Sequence, residues 1–238
     1  MSDYKEIAKW LPKGKRLLLQ LFTSFFSYIS LPFFREKEDG IRLFFQRNYS
    51  LKPDELIFDG TSSGYLSRIT YLFGRIDNNN LEIIDLGCGQ GALYIWLNEH
   101  ECNFKQYIGI DFAINTHHLP KAHFIRGNIV DVSKHLMGNE SIVFMCNSLC
   151  YINDTDFLKI LSSLKTYTKI VIIEPSPNIF WDAHFCGVKP IYRSIEKTRK
   201  FLCDTGFVIE NTDQDYIFRI GNHWAIELSY GIYATKLK

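Results

Sequence analysis

The sequence predicts an α/β fold: an open sheet whose strands alternate with helices, behind an N-terminal helical extension. Three observations carry that expectation. Ile83-Ile84-Asp85-Leu86 leads into Gly87-Cys88-Gly89-Gln90-Gly91, where every second residue is glycine, and Ala92 to Leu97 then has helical character. That order is strand, glycine turn, helix. From Leu81 onward, short apolar runs of strand length recur between helix-length stretches. Residues 1–80 precede all of this and are too many for a tail. The expected division is a helical cap or extension over 1–80 and a sheet domain over 81–238.

In the extension, residues 17–34 are largely apolar, with polar positions at 20, 23, 24, 27 and 30 that fall near one helical stripe. The stripe is uncharged, and Lys13, Lys15 and Arg16 stand before it. Pro32 and the polar positions argue against a spanning helix. Two readings stand: a cap packed on the catalytic domain, or an interfacial helix touching a membrane with its basic end toward anionic lipid. Residues 35–46 and 65–73 are expected to be helices, with a turn at Asp59–Gly64 and a loop at Asp77–Asn80.

After the first strand, Gln106–Asp111 is predicted as the second and His123–Ile129 as the third with its exit. Ser141–Asn147 is predicted as the fourth. A helix capped within Asp154–Asp156 is expected to reach Thr166. Lys169–Pro175 is a fifth strand, apolar in its middle as a buried parallel strand should be. Residues 175–193 form a long aromatic connection, and a loop of that length in a compact domain is usually functional. Ser194–Thr205 is predicted as a helix ended by Gly206. Phe207-Val208-Ile209 opens a sixth strand, and strict alternation from Trp224 to Ile232 gives a last one.

Composition excludes several classes. The net charge of +1 leaves no global basic field for nucleic acid. Hydrophobic residues at 46% and charged residues at 22% are ordinary for a globular protein. Aromatics at 15% fit either a large apolar site or a Phe-rich core. The six cysteines are scattered with no Cys-x-x-Cys pair, and no Cys/His cluster has zinc spacing, so no metal is expected. No cleavable secretory signal stands at the N-terminus, which points to a reducing, cytoplasmic setting.

The chemistry of the glycine turn follows from its shape. Glycines admit positive φ and close ligand approach. The following helix aims free N–H groups and its positive dipole end into the same turn. Asp85, two residues before the first glycine, would repel a pyrophosphate and suits a cation. Asp111, at the next strand end, stands where a carboxylate meets ribose hydroxyls.

Asp85-x-Gly87-x-Gly89-x-Gly91 resembles the first motif of the class I S-adenosylmethionine (SAM)-dependent methyltransferases. The resemblance covers about residues 81–235. It implies a Rossmann-like, seven-stranded, mostly parallel sheet with an antiparallel last strand, and SAM as cofactor. It implies a cofactor site of Asp85, Gly87, Gly89, Gly91, Asp111, Asn128, Ile129 and Asn147. Asn128 departs from the acid common at its position, yet its amide oxygen can still accept from the adenine amino group. Residues Asn147–Ile152 resemble the fourth motif, without the Asn/Asp-Pro-Pro-Tyr form tied to planar amides and nucleobases.

The expected function is therefore methyl transfer from SAM to an oxygen or nitrogen of a small molecule. The competing readings are a protein of this fold without methyl transfer, such as a cyclase, a methyltransferase for a lipid-linked substrate, a nucleic-acid methyltransferase and an NAD-linked oxidoreductase. A hydroxyl nucleophile needs a base, for which the candidates are His184, Tyr151 and Glu174, with His184 preferred because it is the side-chain type that titrates near neutrality. Oligomeric state is open.

Overall fold

The computed structural model describes residues 81–89, 91–112, 119–131, 141–175, 191–220 and 224–237. The expectations for 1–80, including the 17–34 helix, and for His184 lie outside the described residues. In chain order the elements are β1 (Glu82–Leu86), α1 (Ala92–Glu99), β2 (Gln106–Asp111), β3 (Ala122–Arg126) and β4 (Ser141–Cys146). A 3-10 turn (Leu149–Tyr151), α2 (Asp154–Ser163), β5 (Lys169–Pro175), α3 (Ile195–Asp204), β6 (Phe207–Ile220) and β7 (Trp224–Lys236) follow.

The strands form one seven-stranded sheet in the order β3-β2-β1-β4-β5-β7-β6. β1 pairs in parallel with both β2 and β4, β2 with β3, and β4 with β5. β7 runs antiparallel between β5 and β6, although it follows both in sequence. The expected sheet, mostly parallel with an antiparallel last strand, is the one observed. Because β1 pairs with β2 on one side and β4 on the other, the chain reverses its direction of travel across the sheet beside β1. Such a switch point opens a crevice at the carboxyl ends of the strands.

Alternation along the strands splits the core in two. Ile84, Leu86, Ile108, Ile110, Val143 and Ile172 face α2 and α3, where Phe157, Ile160, Leu161, Ile195 and Leu202 are buried. Ile83, Tyr107, Phe124, Phe144 and Val171 line the other face with Leu93, Tyr94, Trp96 and Leu97 of α1. Strands apolar on both faces are what a sheet covered by helices requires.

The ends of β4 and α2 differ from expectation, while β3 and its exit fall where expected. β3 stops at Arg126 and exits through 127–129: the Gly127 N–H turns to the Asp111 carbonyl (3.0 Å) and Asn128 Oδ1 accepts from the Val130 N–H (3.0 Å), opening a helical turn. Asn147 leaves β4 in the left-handed region with φ 54°. α2 is capped by Asn153, whose side chain accepts from the Asp156 N–H, and it ends at Ser163, short of Thr166. Ser194 caps α3 in the same way through the Lys197 N–H, and Gly206 follows with φ 90°, as a helix stop needs.

Among the described residues Cys88, Cys102, Cys146, Cys150 and Cys203 are free thiols. No metal-ligating cluster occurs among them, and no described helix is long and apolar enough to cross a membrane.

Candidate functional site

The site begins where β1 ends. Gly87, Gly89 and Gly91 all have positive φ, at 83°, 53° and 80°. The backbone there turns in a way that L side chains resist. The Gly87 and Cys88 N–H groups both donate to the Ile110 carbonyl (2.8 and 3.2 Å), which binds the turn to the end of β2. Gly91 is the cap residue of α1, and its carbonyl accepts from the Ile95 N–H. The helix therefore starts inside the glycine turn, with its N–H end toward the crevice.

The glycines divide the work. A Cβ at Gly87 would stand 2.4 Å from Ser148 Cβ, so Gly87 is small to let the β4 exit pack against the turn. A Cβ at Gly89 would meet nothing within 4 Å. Gly89 thus lines open space, the cradle a close-approaching ligand requires.

Asp111 closes one side of that space. Its Oδ2 accepts from the Gly89 N–H at 2.9 Å, so the β2 carboxylate and the turn hold each other. Asp85 is buried behind the turn, 4% exposed, and Oδ2 accepts from the Tyr107 hydroxyl at 2.6 Å. Burial pushes its pKa up from 3.8 to about 7; the Tyr107 hydrogen bond opposes the rise and the Asp111 carboxylate adds to it. Burial also holds Tyr107 well above its ordinary range, so it stays a neutral donor.

Tyr107 was not among the sequence candidates. Its signal is positional: Gly109 is the register partner of Asp85, and Tyr107 lies two residues earlier on the same face of the neighbouring strand. The packing around it is aromatic, with Tyr94 at 5.3 Å and Phe124 at 5.6 Å between ring centroids.

On the β3 side, Ile129 is buried in the core, and Asn128 Oδ1 caps the helical turn that Ile129 opens. On the β4 side, Asn147 is exposed at the strand end, and its N–H donates to the Ile173 carbonyl (2.8 Å). Asp85, Gly87, Gly89, Gly91, Asp111, Asn128 and Asn147 all lie at carboxyl ends of adjacent parallel strands or just beyond them.

The three base candidates separate. Tyr151 is half-buried in the 3-10 turn. Glu174 is 2% exposed on the α2–α3 side of the sheet. Its Oε1 accepts from the Ser148 and Leu149 N–H groups (2.8 and 2.7 Å) and its Oε2 from that of Cys150 (3.2 Å). Burial pushes its pKa up from 4.5 to about 7, against those three hydrogen bonds and Arg193, which pull it down. Burial likewise holds the Cys88, Cys146 and Cys150 thiols well above 9.0, which makes them packing groups and not nucleophiles.

No protein-family model matches the chain, and no curated protein matches it. Solved structures do. A magnesium protoporphyrin IX methyltransferase from Synechocystis with bound SAM superposes with a TM-score of 0.56 at 15% identity, over 85% of this chain and 98% of that one. A 1,6-didemethyltoxoflavin-N1-methyltransferase from Burkholderia thailandensis, bound to 1,6-didemethyltoxoflavin and S-adenosylhomocysteine, gives 0.56 at 12% identity over 84% and 88%. A SAM-dependent methyltransferase from Mesorhizobium loti gives 0.54 at 16% identity over 76% and 100%. With its sheet order, its glycine turn after β1 and these likenesses, the chain has the Rossmann-like fold of the SAM-dependent methyltransferases.

Proposed function

We propose that this chain is a methyltransferase that uses SAM and acts on a small molecule. The observation that carries the reading is the open cradle at Gly89, held by the Asp111 carboxylate at the switch point of the sheet. When bound there, SAM supplies an electrophilic methyl group on its sulfonium. Gly89 lets the ligand approach the backbone without a side chain in the way, and Gly91 starts α1 with its positive dipole end toward the same space. Asp111 accepts from ribose hydroxyls, and Asn128 accepts from the adenine amino group through the oxygen that also caps the turn. The Ile129 N–H faces the ring, Asp85 turns its second carboxyl oxygen to the ammonium end, whose charge favours the ionised form, and Asn147 borders the methyl.

The chain's task is then alignment of a nucleophile in line with that methyl. The near-neutral charge favours a small-molecule acceptor over nucleic acid. Two of the solved structures of this fold act on a toxoflavin precursor and on a porphyrin, which fits the same class.

Calorimetry with S-adenosylhomocysteine tests the site. Asp111→Ala is expected to weaken binding by roughly 30-fold or more, the scale of lost charged hydrogen bonds. Asp111→Asn keeps an acceptor for the Gly89 N–H and is expected to lose less. Unchanged affinity in both would move the cofactor elsewhere.

His184 is proposed as the base for a hydroxyl acceptor, and Tyr151 as a group that positions the acceptor. His184→Ala should lower turnover by roughly 10²-fold or more with SAM and substrate affinities kept. Wild-type turnover in that variant would show that the nucleophile needs no base there.

A further inference from the structure

The Ser148–Ile152 turn is held on both sides by opposite charges. Glu174 takes its N–H groups at 148, 149 and 150. Arg193, 2% exposed, takes its carbonyls: Nη1 donates to Leu149 O at 2.9 Å and Nη2 donates to Ile152 O at 2.5 Å. Asp154 fixes the guanidinium through Nε at 2.8 Å. A turn of this size can satisfy its backbone with water at the surface. Burying a carboxylate and a guanidinium to hold it is costly and is not what plain stability would favour.

What the turn touches explains the expense. Ser148, whose N–H is fixed by Glu174, packs its Cβ where Gly87 leaves no room for a side chain. Gly87 is tied to Ile110, the neighbour of Asp111, and Asp111 holds the Gly89 N–H. A short mechanical path therefore runs from Glu174 and Arg193, through Ser148 and Gly87, to the open cradle.

The same turn pins the residues on either side of the aromatic connection 176–190. Glu174 stands just before it, and just after it the Ile191 N–H donates to Cys150 O at 2.7 Å.

We infer that Glu174 and Arg193 are positioning residues: together they clamp the Ser148–Ile152 turn and thereby set the shape of the cofactor cradle. The inference rests on the reading of the glycine turn as the SAM site. It removes Glu174 from the base candidates, since both of its oxygens are engaged by backbone N–H groups.

The test is S-adenosylhomocysteine calorimetry on the full chain, with thermal unfolding of each variant. Glu174→Ala removes every acceptor and should weaken binding by roughly 30-fold or more, while Glu174→Gln keeps one acceptor oxygen and should lose roughly 3-fold to 10-fold. Arg193→Lys keeps the charge but not the fork and should lose roughly 10-fold. Leu202→Ala, in the α3 core and outside the path, supplies a purely structural loss of stability. It should keep affinity within about 2-fold.

Folded Glu174→Gln and Arg193→Lys chains with wild-type affinity would overturn the clamp, and so would an equal loss in Leu202→Ala. If Glu174→Ala does not fold, the other variants decide. Failure of the wild-type chain to bind would instead overturn the cofactor reading, and the clamp's function with it.

Discussion

Gly89→Val is expected to abolish S-adenosylhomocysteine binding while leaving the chain folded. The position has φ 53°, and beyond its chain neighbours nothing lies within 4 Å of where a Cβ would stand. The Cβ of a valine there has room, and its methyl groups would extend into the cradle itself. Its folding cost comes from the left-handed backbone, on the order of 2 kcal/mol for a β-branched residue. The loss of affinity comes from two methyl groups standing where the ligand must come close, and should exceed roughly 100-fold. Gly89→Ala should fall between valine and glycine in both respects. Calorimetry below the unfolding range of each variant separates the two effects. A valine variant that binds normally would show that the cofactor does not approach this turn.

Asp85→Asn is expected to stabilise the chain above neutral pH and to weaken cofactor binding. Burial raises the Asp85 carboxyl from 3.8 to about 7 in the folded chain, so across that window the folded state holds a proton that the unfolded state has released. Stability therefore falls as pH rises through the window, and above it the folded chain carries the cost of a buried anion. Glu174, raised from 4.5 to about 7, adds a slope of the same sign.

Asparagine removes the ionisation at residue 85, keeps an oxygen for the Tyr107 hydroxyl and leaves one amide N–H₂ to be buried. About 4 kcal/mol relieved against roughly 2 kcal/mol added leaves a gain on the order of 2 kcal/mol at about pH 8. For a chain of this size that is a rise of roughly 4–8 °C in Tm. At about pH 5 the gain should vanish, because the wild-type carboxyl is then protonated. Scanning calorimetry at the two pH values reads the difference. A variant less stable than wild type at the higher pH would mean that Asp85 is better solvated than its burial implies.

Much of this was legible in the chain because buried parallel strands have a plain signature. β1, β2, β4 and β5 are short apolar runs with an acid, an Asn or a glycine at the exit, and the glycine turn announces itself. β6 was not legible beyond its first residues. Its sequence mixes Glu210, Asn211, Thr212 and Asp213 into the strand, as an edge with one paired neighbour allows.

The function of Glu174 was hidden for a different reason. A buried acid at a strand end reads equally as base or as N–H acceptor. The choice depends on where residues 148–150, more than twenty positions earlier, fold back. Arg193 gave no signal at all, since one arginine before a capping serine looks like an ordinary surface residue. Gly87 looked like a ligand-facing glycine by motif, but its space belongs to Ser148.

The insertion of β7 between β5 and β6 has a consequence for how the molecule assembles. Among the described residues β6 joins the sheet through β7 alone, so there it has no template until β7 exists. The two are neighbours in sequence across a connection of three residues, 221–223, and their pairing is the most local long contact in the sheet. Hairpins of this kind form quickly, whereas β1 must wait for β4 from the far side of two strands. The kinetic order this favours is a hairpin that closes early and docks as a unit onto the β5 edge. The pairing of β1 with β4, which brings Gly87 against Ser148, joins residues as far apart as Glu82 and Ser141 and so follows hairpin closure. Ligand binding is then a report on long-range pairing, and hairpin closure alone cannot supply it.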